Sequence, residues 1–231
     1  MMRRMPSKLI FDTETYGLKP ENTVFDIGYM IFNPKWGLVR RNYLVMETFK
    51  VDKLKGLPFY GEGKVNKYLS LNLEVLPWLD IMLRLWGHIK EYDVKEVIAY
   101  NLPFDLDALS HTNNLILGKE FKMFDGIKKT DLYTVFCNFV KDRKDFPRYC
   151  EENGFISKAG NLRTNAEVAY GFLVQNPDHV ESHTAMSDVV EEYQIYAEIK
   201  KRKKRYQMEA EPMPWQMVSH NRENMKGRRR G

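Results

Sequence analysis

Read for its alternation of apolar and polar positions, the chain opens with three short segments of strand character. Residues 8–15, 23–32 and 38–46 are rich in β-branched, aromatic and aliphatic side chains and are separated by Gly17, Pro20, Pro34 and Gly37, which end strands and make turns. The pattern predicts three consecutive strands joined as two hairpins. The period then changes. Across residues 76–92, Leu79, Leu83 and Trp86, flanked by Met82 and Leu85, recur at helical spacing, and residues 94–100 return to a short buried-strand pattern. Beyond these, the pattern predicts a helix over 103–116, a short strand near 121–124, and helices near 131–140, 163–173 and 185–205. Strands followed by strand–helix alternation predict an α/β domain, a mixed β-sheet flanked by α-helices. No internal repeat is present, and the one compositional break is the Met-, Pro- and Arg-containing stretch after Tyr206. The expected organisation is therefore one domain over residues 1–206 and a basic, flexible tail over 207–231.

Composition narrows the class. A chain of 231 residues with 43% hydrophobic content can bury one substantial core. Its longest apolar stretches, 24–32 and 76–86, are interrupted by Asp26, Asp80 and Arg84 and fall short of the roughly 20 residues of a membrane helix. Arg3 and Arg4 precede only a three-residue apolar run, 9–11, too short for a secretory leader. Cys137 and Cys150 form no CxxC pair and have no histidine at metal-ligand spacing, which fits core thiols in a reducing cytoplasm rather than a zinc site or a disulfide. The formal net charge of +5 hides an asymmetry. From Lys200 onward there are eleven Lys and Arg against Glu209, Glu211 and Glu223, whereas the preceding 199 residues carry 25 basic and 28 acidic side chains. A mildly acidic body with a basic end fits an enzyme that gathers carboxylates around cations and uses positive charge elsewhere to hold a polyanion. The run from Lys200 to Arg205 equally fits the solvated end of a helix, where cations complement the helix dipole.

Three short constellations carry chemistry. In Leu9-Ile10-Phe11-Asp12-Thr13-Glu14-Thr15, alternation puts Asp12 and Glu14 on one face of a strand. Two ionised carboxylates about 4 Å apart repel by about 4 kcal/mol at an effective dielectric near ~20, so keeping both charged calls for a cation. In Asn101-Leu102-Pro103-Phe104-Asp105-Leu106-Asp107, Asn101 suits a helix N-cap and Pro103 the first turn, which leaves Asp105 near the positive end of the helix dipole and Asp107 on the other side. In Ser182-His183-Thr184-Ala185-Met186-Ser187-Asp188, His183 and Asp188 can converge only if His183 lies in the turn before the helix, since residues five apart on a helix diverge by about 140°. His88, His111, His179 and His220 show no comparable acid partner in the sequence and read as surface or core residues.

Taken in order, Asp12-x-Glu14, Asn101-x-x-Phe104-Asp105-x-x-x-Leu109 and His183-x-Ala185-x-x-Asp188 resemble the three motifs of the DEDDh, or DnaQ-like, exonuclease family. Asp26-Ile27-Gly28 and Thr130-Asp131-Leu132 add to the resemblance, which covers roughly residues 8–200. The sister class carries a tyrosine four residues before the last aspartate; Thr184 stands there, which favours the histidine class.

The resemblance implies a ribonuclease-H-like fold and a 3′-to-5′ exonuclease that releases nucleoside 5′-monophosphates. It implies that Asp12, Glu14, Asp105 and Asp188 hold two Mg²⁺ or Mn²⁺ ions, hard cations that take oxygen ligands. One ion would activate the attacking water and the other stabilise the leaving 3′-oxygen. His183 would take the water's proton, since free imidazole titrates near ~6.5. Thr13, Asn101 and Phe104 are expected to touch the substrate. Single-stranded DNA 3′ ends are the favoured partner, with an exoribonuclease or oligoribonuclease, or a silent nucleic-acid-binding module, as alternatives; the five site residues argue against the last. A polymerase or replication partner and a homodimer are both compatible, as is the cytoplasm of a bacterium or of a virus-infected cell.

Two segments exceed the compact family pattern. Residues 49–76 carry Phe59, Tyr60, Lys64, Lys67 and Tyr68, and residues 141–161 carry Arg143, Lys144, Phe146, Arg148 and Tyr149. Each is either a surface loop or an aromatic and cationic strip that stacks bases of a single strand. Gly61-Glu62-Gly63-Lys64 is not a phosphate loop, lacking the upstream glycine and the following Ser or Thr.

Overall fold

The computed structural model describes residues 6–17, 22–33, 37–46, 74–181, 183–202, 205, 207 and 209–218. The 59–68 aromatics and lysines and the Gly61–Lys64 stretch lie outside the described residues. The chain divides into two compact units: Met1–Ala99 with Pro103–Lys128 and Ser182–Val190, and Tyr100–Leu102 with Lys129–Glu181 and Glu191–Gly231.

The first unit is built on the predicted hairpins. Strands β1 (Ser7–Thr15), β2 (Val24–Asn33) and β3 (Gly37–Met46) run antiparallel in succession. β2 is buried along its whole length, which accounts for its nearly unbroken apolar sequence. A short strand that the sequence pattern does not predict, β4 (Glu74–Leu76), lies parallel to β3. Helix α1 (Trp78–Glu91) then crosses to β5 (Val94–Ala99), which pairs parallel with β1 from Ser7 to Ile10. The sheet order is β4-β3-β2-β1-β5-β6, and β6 (Lys128–Asp131) enters at Lys128. Buried Glu96 of β5 receives Lys8 of β1 at 2.6 Å and Lys128 at 3.1 Å, so one carboxylate ties three strands and is itself paired.

The helix expected over 76–92 is present, and one expectation, the strand near 121–124, is corrected in this unit. α1 buries Trp78, Ile81, Met82, Leu85 and Ile89, while Leu79, Leu83 and Trp86 are 49%, 56% and 50% exposed. The apolar arc of the helix is wider than the face it buries, with Asp80, Arg84 and Glu91 on the polar side, and Trp78, Ile81, Met82 and Leu85 form the stripe with the full i, i+3, i+4, i+7 spacing. Residues 121–124 form no strand but lead into a turn in which Ile127 N–H donates to Phe124 O and Gly126 adopts φ 73°. Phe124 is buried because its ring packs against Phe11 and Phe121, a side-chain reason that mimics a strand pattern in sequence. Helix α2 (Leu102–Leu117) follows the 103–116 expectation, with Asp105, Ala108, Leu109 and Thr112 on its buried side.

The second unit is helical: α3 (Leu132–Val140), α4 (Asp145–Glu152), α5 (Ala166–Val174) and the later part of α6 (Ala185–Arg202). Asp131 caps α3 through bonds from Tyr133 N and Thr134 N and also accepts from Leu102 N, so one buried carboxylate closes the starts of α2 and α3. α4 falls in the segment read as a surface loop or base-stacking strip: 145–152 is helix rather than loop, with its aromatics packed inward, while 153–161 is surface loop. Phe146 and Cys150, four apart, are fully buried, and Phe146 packs edge-on against Phe136 and Phe172. Tyr149 packs on Phe155 and Phe172, and Arg143 is held by Asp145 and by the Phe139 ring. Both cysteines are buried free thiols.

Part of the tail is folded onto this unit. Glu211 N–H donates to Thr134 Oγ1, and Pro214 and Val218 are buried. Residues 219–231, the remainder of the stretch expected to be flexible, lie outside the described residues. No helix among the described residues is long and apolar enough to cross a membrane.

Candidate active site

The site is assembled on β1 where its pairing with β5 stops. Ile10 pairs with Ile98, and beyond it β1 continues beside β2 with Asp12 opposite Gly28 and Glu14 opposite Asp26. Asp12 and Glu14 therefore share one face of a regular strand, both half-buried, with the register shift falling only after Glu14. Thr13 N–H has lost its neighbouring strand on the β5 side and must find another acceptor. Asp105 Oδ1 provides it, accepting from Thr13 N at 3.1 Å and Thr13 Oγ1 at 2.8 Å. Asp105, not Asp107, is the buried acid of α2: it is 2% exposed, whereas Asp107 accepts from Asn22 at 3.1 Å.

The last motif enters from α6. His183 lies before the helix with φ 50°, in the left-handed region, which turns the chain so that it and Asp188 meet. Ligand atoms of Glu14, His183 and Asp188 lie within 4.8 Å of one another. That group comprises one residue from β1, one from the turn and one from the first turn of α6. Among the described residues that close group includes neither Asp105, which is bonded to Thr13, nor Asp12, which stands two positions before Glu14 on the same strand face. Asn101, exposed, precedes α2 with φ 63°, and Phe104 is half-buried in the helix's first turn. A left-handed conformation costs roughly 1–2 kcal/mol for a residue with a side chain, so Asn101 and His183 are positions where the surroundings enforce geometry.

What fixes the start of α6 is a strand residue. Asp26 Oδ2 accepts from Ala185 N at 3.1 Å, and Gly28 lets the helix backbone come so close that a Cβ there would lie 2.5 Å from the Ala185 carbonyl carbon. The Asp26-Ile27-Gly28 triplet thus has a physical role, which the sequence signals only as part of the family resemblance: Asp26 occupies an orphan N–H of the helix bearing Asp188, and Gly28 makes the space. His179, read as lacking an acid partner, bonds Glu191 at 2.9 Å in the second unit and packs on Tyr170. The pairing spans twelve positions and joins a loop to a helix, so no local spacing reveals it.

Electrostatics follow from burial. The Asp105 carboxyl is pushed up to about 7, chiefly by desolvation, against the lowering effect of the two Thr13 bonds, with the nearby Glu14 charge raising it further. Glu14, Asp105 and Asp188 thus gather like charges in a half-buried corner where a hard divalent cation would restore ionisation. The oxygen-rich donor set fits Mg²⁺ or Mn²⁺, and no cysteine takes part.

No family model matches the sequence, and no curated protein matches it. Among solved structures the chain is similar to E. coli Exonuclease I in complex with a dT13 oligonucleotide, with a TM-score of 0.58 and 13% sequence identity. The match covers 85% of this chain and 41% of that one, so the present chain spans less than half the length of that protein. At this identity the likeness establishes the fold: α/β, with the mixed sheet and flanking helices of the ribonuclease-H-like class.

Proposed function

We propose that the chain is a divalent-metal-dependent 3′-to-5′ exonuclease acting on single-stranded DNA ends and releasing nucleoside 5′-monophosphates. The observation that carries this reading is the meeting of Glu14, His183 and Asp188 within 4.8 Å, supported by the buried Asp105 held against Thr13. Asp12, Glu14, Asp105 and Asp188 would hold two cations. When bound, such ions supply charge neutralisation at the phosphate and acidify the attacking water. His183 would accept the water's proton as the O–P bond forms, from its place in the turn before α6. Asp26 and Gly28 act behind it, fixing α6 so that Asp188 and His183 keep their spacing. Thr13 would position Asp105 and, with Asn101 and Phe104, contact the terminal nucleotide. E. coli Exonuclease I is described with an oligonucleotide of deoxythymidines, and the shared fold supports a single DNA strand as substrate here.

The deciding experiment is digestion of matched 5′-labelled single-stranded DNA and RNA with Mg²⁺, Mn²⁺ or chelator, beside the Asp12→Ala variant. The expected result is a metal-dependent ladder shortening from the 3′ end, faster on DNA and absent in the variant. No cleavage of either polymer by the folded, metal-supplied protein would overturn the reading.

A further inference from the structure

The second unit contains a pocket of about 480 Å³, and of its lining the proposed function uses Asn101 alone. Its volume lies within the roughly 300–1,000 Å³ of small-ligand sites. It is lined by Tyr100, Asn101, Tyr133, Arg163, Thr164 and Asn165, among others. The Tyr100 and Tyr133 rings stack with centroids 5.4 Å apart at 24°. Both hydroxyls are fixed by one residue, Tyr100 donating to Thr164 O and Tyr133 bonding Thr164 Oγ1 at 3.0 Å. The aromatic wall is therefore held in place before any ligand arrives.

Around this wall stand three polar side chains with no partner among the described residues. Arg163 is exposed and its guanidinium makes no ion pair there; its backbone N–H, bonded to Phe155 O, fixes where it emerges. Asn165 precedes α5 without a side-chain bond to that helix, so its amide is available. Asn101 presents a second amide from a strained, left-handed backbone. The lining holds no Asp, Glu, His or Cys, which disfavours a metal, and Arg163 is its one cation, although Asp131 and Glu181 lie within electrostatic reach of Tyr100. A planar cation and amide donors suit a phosphate, and a fixed aromatic pair suits a base.

We propose that this pocket is a nucleotide subsite for the single strand, in which Arg163 and Asn165 hold a backbone phosphate and the Tyr100–Tyr133 pair stacks a base. The subsite rests on the reading of the chain as a single-strand exonuclease and adds to it a second place at which the strand is held.

The test is the affinity of the full chain for 5′-fluorescein oligo-dT, followed by anisotropy across a salt series with Ca²⁺ in place of Mg²⁺ or Mn²⁺. Arg163→Gln is expected to weaken binding about tenfold at low salt and to flatten the log–log salt slope by about 0.7, the value for one phosphate contact on a single strand. Arg163→Lys should recover the slope. Because Arg163 is exposed, unchanged circular-dichroism melting of both variants separates this loss from misfolding. Affinity within twofold of the parent, an unchanged slope, or a parent that does not bind oligo-dT would overturn the subsite. Digestion of the same strand with Mn²⁺ reads the exonuclease separately. A parent that digests while Arg163→Gln leaves the slope intact loses the subsite alone, and a parent that binds through Arg163 but does not digest loses the exonuclease alone.

Discussion

The hydroxyl and the backbone N–H of Thr13 both donate to the same oxygen of Asp105, at 2.8 and 3.1 Å, across 92 positions of sequence. One residue of β1 thereby stands between two candidate ligands on its own strand and also holds a third on α2. Thr13→Val keeps the side chain's shape and β propensity but removes the hydroxyl from a buried carboxyl. A buried group that loses a hydrogen bond costs about 1–3 kcal/mol, so the urea midpoint should fall accordingly. The hydroxyl also lowers the Asp105 pKa, so its loss should move the rising limb of the pH–activity profile to higher pH. A variant with an unchanged midpoint and an unchanged profile would show that the N–H alone suffices.

Asp105 also sets a pH dependence for the metal-free protein. Its folded pKa, about 7, lies above the ordinary carboxylate value of about 3.9, so between these limits the folded state binds more protons than the unfolded state. Stability in chelator should therefore fall as pH rises from about 4 to about 7, then level off. Asp105→Asn removes that penalty and should melt above the parent at pH 8 in chelator. Adding Mg²⁺ or Mn²⁺ should reverse the order, raising the parent's melting temperature more than the variant's. Calorimetry at a series of pH values reads both, and a parent whose melting temperature in chelator does not fall over that window contradicts the account.

Gly28 is the second place where a single atom decides the geometry. A methyl group there would lie 2.5–2.6 Å from backbone atoms of Ala185 and Met186, which have no flexible end to move aside. Gly28→Ala must therefore push the start of α6 away from β2, lengthen the Asp26–Ala185 bond and separate Asp188 and His183 from Glu14. We expect a loss of roughly 2–4 kcal/mol in stability and a drop of about a hundredfold or more in metal-dependent cleavage. Gly87, with nothing within 4 Å of its would-be Cβ, is the control: Gly87→Ala lies in α1 and should stabilise slightly. A Gly28→Ala enzyme of parental activity would show that α6 is not held by this close approach.

These contrasts explain what was legible in sequence. The hairpins could be read because residues 8–15, 23–32 and 38–46 are short runs of β-branched, aromatic and aliphatic side chains whose breaks carry Gly or Pro. The His183–Asp188 geometry could be read because only a turn before α6 lets residues five apart converge, and φ 50° at His183 is that turn. The buried face of α1 could not, since Leu79, Leu83 and Trp86 match a helical stripe as Trp78, Ile81 and Leu85 do, and the choice is made by the sheet they meet. α4 was hidden because its burying positions, Phe146 and Cys150, number two, while Arg143 and Asp145 beside them make the segment look like surface. The bond between Thr13 and Asp105 leaves no local trace, because its partners are far apart in the chain.

The C-terminal stretch separates a structural from an electrostatic role. Glu211 N–H donates to Thr134 Oγ1, and that hydroxyl donates in turn to Asp131 Oδ2, whose other oxygen accepts from Leu102 N at the start of α2. With Pro214 and Val218 buried, ending the chain at Tyr206 removes packed residues and the outer link of this series. That truncation should lower the melting temperature by several degrees and reduce cleavage of strands of every length. Ending it after Val218 leaves this packing and these bonds in place, yet takes away Arg222, Lys226, Arg228, Arg229 and Arg230 against Glu223. Its melting temperature should match the parent's, while its affinity for long strands falls and their salt dependence flattens, since each phosphate of a single strand that is no longer neutralised reduces the slope by about 0.7. Short oligonucleotides should be cleaved as before. Equal effects of the shorter cut on short and long strands would assign residues 219–231 a part in the site itself rather than in gathering the polymer.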